Sequence, residues 1–180
     1  MAEEIQELHE SAEEARHDPG LVPVTFTMAL LAVVLAAVSL LGHRTHGEEL
    51  LLQNRATDQW AYFQAKNIRR HTYELFLDLL SVISPKDPQA AAKIRDKYSE
   101  EIERYKDEQK DTQSEAQQLE REVETLRHKA NRFDLGEVCL EVGIVLASLT
   151  LLTRRRLFWQ LGGLAGLVGL AIAASGFWVK

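Results

Sequence analysis

Two stretches of this chain, residues 21–42 (LVPVTFTMALLAVVLAAVSLLG) and 157–179 (LFWQLGGLAGLVGLAIAASGFWV), contain no Asp, Glu, Lys or Arg. A third, 135–153, carries only Glu137 and Glu141. A bilayer crossing needs ~20 predominantly apolar residues, so three crossings are expected. The overall 46% hydrophobic and 27% charged residues describe neither kind of segment, because the two are kept apart. Nearly all the charge falls in 1–20 and 43–134. The expected architecture is an all-α membrane protein: acidic tail 1–20, transmembrane helix 21–42, water-facing insert 43–134, transmembrane helix 135–153, basic loop 154–156 and transmembrane helix 157–179. Phe158-Trp159 and Phe177-Trp178 bracket the last run. They lie ~28 Å apart along a helix, close to the ~30 Å hydrocarbon thickness.

The insert constrains the fold further. It has no glycine between 48 and 135, and its only prolines are Pro85 and Pro88. Two long helices are therefore expected, 48–84 and 89–135, joined by a turn at 84–88 with Asp87 as N-cap and Pro88 at the first helical position. Alternating steps of three and four run through Leu51, Asn54, Asp58, Ala61, Ala65, Ile68, Thr72, Leu75, Leu79 and Val82 on the first helix. They recur through Ile102, Tyr105, Gln109, Thr112, Ala116, Leu119, Val123, Leu126, Ala130 and Phe133 on the second, with Ile94 and Tyr98 upstream. A repeat of ~3.5 residues over more than four heptads predicts a long antiparallel coiled-coil hairpin between the first and second transmembrane helices. Folding at 86–87 sets residue i opposite about 173 − i, which pairs Leu75 with Tyr98 and Ile68 with Tyr105. Asn54, Asp58 and Gln109 form its polar seam, the residue class that fixes register and partner number.

Charge excludes several functions. The tail carries one base and seven acids, and the insert 16 bases and 18 acids. That balance does not suit nucleic acid, which calls for a clustered basic stripe. Only Arg154, Arg155 and Arg156 would favour an anionic lipid surface. The first apolar run follows an acidic segment and exceeds the ~7–15 residues of a signal peptide core, so it is expected to remain as an anchor. Three arginines in so short a loop place that loop in the cytoplasm, and with it the amino terminus, leaving the coiled-coil insert periplasmic or extracytoplasmic. Arg44, Lys129 and Arg132 argue the other way.

The run LLLQNRATDQWAYFQAKNIR (residues 51–70), followed by a long charged helix, a short basic loop and a Gly-rich last span, resembles an uncharacterised bacterial domain-of-unknown-function family of small three-span membrane proteins. Residues 58–66 (DQWAYFQAK) are its most specific part. The resemblance implies a bacterial inner-membrane protein of this same architecture. The family offers no established activity to carry over.

Few residues suggest chemistry. Glu137 and Glu141 are four apart on one helix face within the second span, and ionisable groups at membrane depth are costly and usually functional or paired. They form a candidate ion or proton site, although Glu137 lies within a turn of the expected membrane edge. His43, His46 and His128 fall short of a closed metal site. One cysteine, Cys139, excludes a disulfide framework and a cysteine-based zinc site. Phosphate loops, nucleophile elbows and histidine–carboxylate metal motifs are absent from the sequence, so no enzyme and no cofactor are expected. Gly162, Gly166, Gly169 and Ala173 make overlapping small-xxx-small patterns for helix packing, within or between chains. Phe76, Leu77, Leu80 and Ile83 lie outside the predicted seam, at a tip its partner stretch does not cover, and are candidate contacts of a homo-oligomer. The functional expectation is a non-enzymatic oligomeric scaffold in the inner membrane that holds or spaces a protein partner. The alternative is an ion-conducting or proton-coupled oligomer whose path Glu137 and Glu141 line.

Overall fold

The computed structural model describes residues 20–179, so the acidic tail lies outside the described residues except for Gly20. Among those residues the chain is all-helical: α1 is Val22–Val82, α2 is Pro88–Thr153 and α3 is Arg156–Ser175, followed by a single 3-10 turn, Gly176–Trp178. Neither α1 nor α2 breaks where its apolar run meets its charged run. Both continue because glycines 42, 47, 136 and 143 sit in the helices without positive φ and no proline interrupts them. Each of the three helices contains a window long and apolar enough to cross a membrane, by length and composition.

The turns follow local chemistry. After α1, Pro85 and Pro88 remove two backbone donors and stop the helix. Asp87 caps α2: its Oδ1 accepts the backbone N–H groups of Gln89 at 2.9 Å and Ala90 at 3.1 Å, satisfying donors a helix start leaves orphaned. Between α2 and α3 the reversal is tighter. Arg154 takes a left-handed conformation (φ 55°) and Arg155 an extended one. Glycine is the usual residue at such a helix end.

The described residues divide into two compact units, 20–49 with 125–179, and 50–124. In the first, Leu31, Val38, Phe133, Leu140 and Ala173 form one apolar core, and Val24, Met28 and Ala147 another with Leu151 and Trp159 against it. Helices α2 and α3 touch through their glycines. A methyl group on Gly162 would lie 2.7 Å from the Gly143 carbonyl oxygen and 3.0 Å from the Ala147 nitrogen. One on Gly136 would lie 2.9 Å from the Gly169 oxygen. Gly162, Gly166, Gly169 and Ala173 are all buried inside one chain.

In the second unit, α2 buries or half-buries the face expected for it: Tyr98, Ile102, Tyr105, Gln109, Thr112, Ala116, Leu119 and Val123. Helix α1 does not. Its covered row is Leu52, Ala56, Gln59, Phe63, Lys66, Arg70, Tyr73, Leu77 and Leu80, also in steps of three and four. The row expected in the seam, including Asn54, Asp58, Ala61, Ala65, Ile68 and Leu75, is exposed throughout. Both rows keep the 3.5-residue repeat, and they differ by about 1.5 positions, nearly half a turn. What selects the second row is aromatic and ionic contact. Tyr73 lies 4.8 Å from Tyr98 and 6.0 Å from Tyr105 between ring centroids, and Phe76 reaches Tyr98 at 6.0 Å. The pairs Gln59–Glu115, Lys66–Glu108 and Phe76–Tyr98 have residue numbers that each total 174, so partners run in opposite chain directions.

Candidate functional site

In unit 50–124 the row facing α2 contains a lysine. Lys66 is buried to 9% exposure, and its ammonium donates to Glu108 at 2.7 Å while lying 4.3 Å from the centre of the Tyr62 ring. Burial alone disfavours the Lys66 ammonium, but Glu108 and the Tyr62 hydroxyl outweigh it and hold its pKa above the ordinary lysine value. The same hydrogen bond from Lys66 holds the Glu108 carboxyl below the usual carboxylate range, with Arg104 adding to it. Two further links tie the helices: the Trp60 indole N–H donates to Glu120 at 2.8 Å, and Gln59 donates to Glu115. Gln109 is buried as a seam residue should be, and its amide nitrogen has no hydrogen-bond partner. Asn54 and Asp58 share no seam with it, since both lie on the exposed face. These contacts are an ion pair, a cation over a ring and two surface hydrogen bonds.

Of the expected oligomer contacts, Phe76 and Ile83 are exposed, but Leu77 and Leu80 are half-buried on the row facing α2. Their place on the open side is taken by Ile68, Leu75, Leu79 and Val82, with Leu79 49% and Val82 79% exposed.

In unit 20–49 with 125–179, Glu141 is exposed and Glu137 half-buried. The Gly136 and Gly143 crossings bracket both, which sets Glu141 level with the middle of α3 and Glu137 about one turn nearer its carboxyl end. The Phe133–Phe177 edge contact (5.6 Å) lies one helical turn beyond Glu137 and two beyond Glu141. Among the described residues neither carboxylate has a hydrogen-bond or ion-pair partner. They share a helix face with Ser148, whose hydroxyl is spent on the Val145 carbonyl at 2.8 Å.

The histidines do not converge. His43 Nδ1 pairs with the Ser39 carbonyl at 2.8 Å, whereas His46 sits between Asp134 (3.1 Å) and Glu49 (3.4 Å), and Glu49 accepts from Arg127 at 3.3 Å. Among the described residues no group of three His, Cys, Asp or Glu side chains is placed to hold a metal ion. Sequence reasoning missed Lys66 and Glu108. The signal for them was present, since Lys66, Tyr73 and Leu80 are a heptad apart, but a lysine in an otherwise apolar row reads as solvated.

Three comparisons with known proteins bear on identity. The family model described as a domain of unknown function (DUF4337) matches residues 21–179. No curated protein and no solved structure matches the chain.

Proposed function

The chain belongs to the family of the domain of unknown function DUF4337, and from its geometry we propose a non-enzymatic scaffold: an oligomeric coiled-coil protein held in a bacterial inner membrane by three spans. The observation that carries this reading is the second, outward row of α1. Leu51, Ile68, Leu75, Leu79 and Val82 are exposed at heptad spacing on a helix whose opposite face is already occupied. A single antiparallel coiled coil needs one row per helix. A second row suits a second partner helix.

The partner that fits is another copy. Copies anchored alike and related by an axis along the membrane normal run their α1 helices parallel, so identical residues meet. Ala61 and Ala65 then permit close approach, Asn54 meets its counterpart, and Ile68 to Val82 supply the apolar grip, flanked by Phe76 and Ile83. The membrane reading is supported by the exterior of the other unit, where Phe26, Leu30, Val33, Val138, Val145, Leu164 and Leu167 are exposed. A surface of that kind suits lipid. The arginines at 154–156 set the amino terminus in the cytoplasm and the insert in the periplasm.

Mass measurement of the full chain in mild detergent or nanodiscs tests the scaffold. A homo-oligomer is expected; a monomer under both conditions would remove its basis.

One observation favours a second reading, in which the oligomer conducts ions or protons. Glu141 is exposed on the outer face of an apolar helix stretch with no partner among the described residues. A carboxylate in that position calls for a neighbouring subunit or a hydrated path.

A further inference from the structure

Around the turn from α1 to α2, unit 50–124 has a charge balance unlike the rest of the insert. Residues 82–97 contain four bases, Lys86, Lys93, Arg95 and Lys97, against two acids, Asp87 and Asp96. One of those acids is engaged, since Asp87 accepts the backbone N–H groups of Gln89 and Ala90. The basic excess is bounded on both sides, by Asp78 on α1 and by Glu100 and Glu101 on α2. Averaged over 43–134 the insert is acidic, which hides it.

These bases are not spent within the chain. Elsewhere in the unit Lys66, Arg70, Arg104, Lys106 and Lys110 each meet a carboxylate within 3.6 Å. Among the described residues Lys86, Lys93, Arg95 and Lys97 have no hydrogen-bond or ion-pair partner. Arg55 is unpaired as well, but no other Lys or Arg lies within ten residues of it. A separate observation is apolar: Val82 and Ile83 at the end of α1, Pro85 in the turn and Ile94 on α2 are all exposed. The cations also fan around the start of α2. Lys93 and Lys97 are four apart on one face, Arg95 falls on the opposite side, and Lys86 precedes the helix. A protein groove reads one face of a helix, whereas a layer of lipid headgroups offers negative charge in every direction. Long basic side chains beside exposed apolar ones suit such an interface, their stems against the apolar groups and their charges on the phosphates.

We propose that the α1–α2 turn docks on the surface of an anionic phospholipid bilayer, with Lys86, Lys93, Arg95 and Lys97 on the headgroups and Val82, Ile83 and Ile94 against the first acyl carbons. This gives the scaffold a lipid surface to hold at the turn, apart from the bilayer its spans cross. The assignment holds for one copy or several, since three of the four bases lie on α2 and none on the outward row of α1.

The test places the full chain in nanodiscs of phosphatidylcholine and measures its co-flotation with added vesicles, so that any anionic lipid is in the vesicles alone. Vesicles of roughly 2:1 phosphatidylcholine and phosphatidylglycerol should capture it at a lipid concentration about tenfold below that needed with pure phosphatidylcholine, and added salt should shrink the difference. Lys86→Gln with Lys93→Gln, Arg95→Gln and Lys97→Gln should erase the preference at unchanged helicity by circular dichroism, because these side chains hold no bond within the described residues. Ile83→Ser should weaken capture severalfold and keep the preference for phosphatidylglycerol. Arg154→Gln with Arg155→Gln and Arg156→Gln should capture as wild type, which separates the turn from the basic loop. Equal capture by the two kinds of vesicle, a quadruple glutamine variant that binds as wild type, or a preference lost only in the 154–156 variant would each overturn the proposal. Capture by neither vesicle would overturn it too, and is the outcome expected if an acidic protein is the occupant instead.

Discussion

Lys66 and Glu108 show how much a single pair of residues can decide in a thin helical unit. Glu108 has a lowered pKa, so the stability it lends is present above the ordinary carboxylate value and disappears as pH falls through its depressed one. Lys66 has a raised pKa, so its contribution is present below the ordinary lysine value and is lost as pH climbs through its elevated one. The pair therefore supports unit 50–124 across neutral pH and fails first in acid. Glu108→Gln strands a buried ammonium, while Lys66→Met replaces it with an apolar chain of similar length. Thermal unfolding followed by circular dichroism should find the glutamine variant clearly less stable at pH 7 and the methionine variant near wild type. Equal losses would mean the ion pair is worth no more than its burial. The glycines give a second contrast. A methyl group at Gly162 meets backbone at 2.7 Å, but at Gly163 nothing lies within 4 Å. Gly162→Ala should cost about 1–3 kcal/mol as the helices are forced apart. Gly163→Ala should be neutral or stabilising, since it only removes backbone freedom.

At the scale of elements, the outward row of α1 is the one proposed to join copies, the inward row packs against α2, and the two can be separated. Leu75→Glu with Leu79→Glu should yield a monomer of unchanged helicity, measured by mass and far-ultraviolet circular dichroism. Leu77→Glu, one row away, should instead lower the unfolding temperature, because Leu77 faces α2. Reversed outcomes would mean that the rows have been exchanged. The same two rows explain what was legible beforehand. Helix positions could be read from breakers and charge: Asp87 and Pro88 start α2, Pro85 follows the end of α1, and the basic run 154–156 marks the last turn. The face of α2 was legible too, because its apolar residues occupy one row and charges fill the rest. The face of α1 was not. Its apolar residues are shared between two rows of equal period, and the inward one contains Lys66, which only its contact with Glu108 makes sense of.

For the whole molecule, orientation and the two glutamates separate the remaining readings. With Cys139 replaced by alanine, a cysteine at Lys86 should react with a membrane-impermeant maleimide in intact cells if the insert is periplasmic; reaction only after lysis would invert the topology. The glutamates then decide between scaffold and ion path. Glu141, exposed, lies level with the middle of α3, and Glu137, half-buried, about one turn nearer its carboxyl end. In a scaffold, Glu141 is met by a neighbouring copy, and glutamine, which keeps an acceptor and adds donors, can serve there as well. In a conducting oligomer the carboxylate itself is needed, because glutamine neither binds a proton near neutral pH nor offers a cation a negative charge. Liposomes containing the wild-type protein should show no cation or proton flux above empty liposomes, and Glu141→Gln should leave the oligomer mass unchanged. A flux that is present in the wild type and absent from Glu141→Gln, with assembly intact, would replace the scaffold reading with the conducting one. Glu137→Gln adds depth to the comparison. It lies one turn nearer the Phe133–Phe177 contact, so a pathway entered from that end would be weakened by Glu137→Gln and abolished by Glu141→Gln, a graded pattern that a purely structural pair of side chains has no reason to produce.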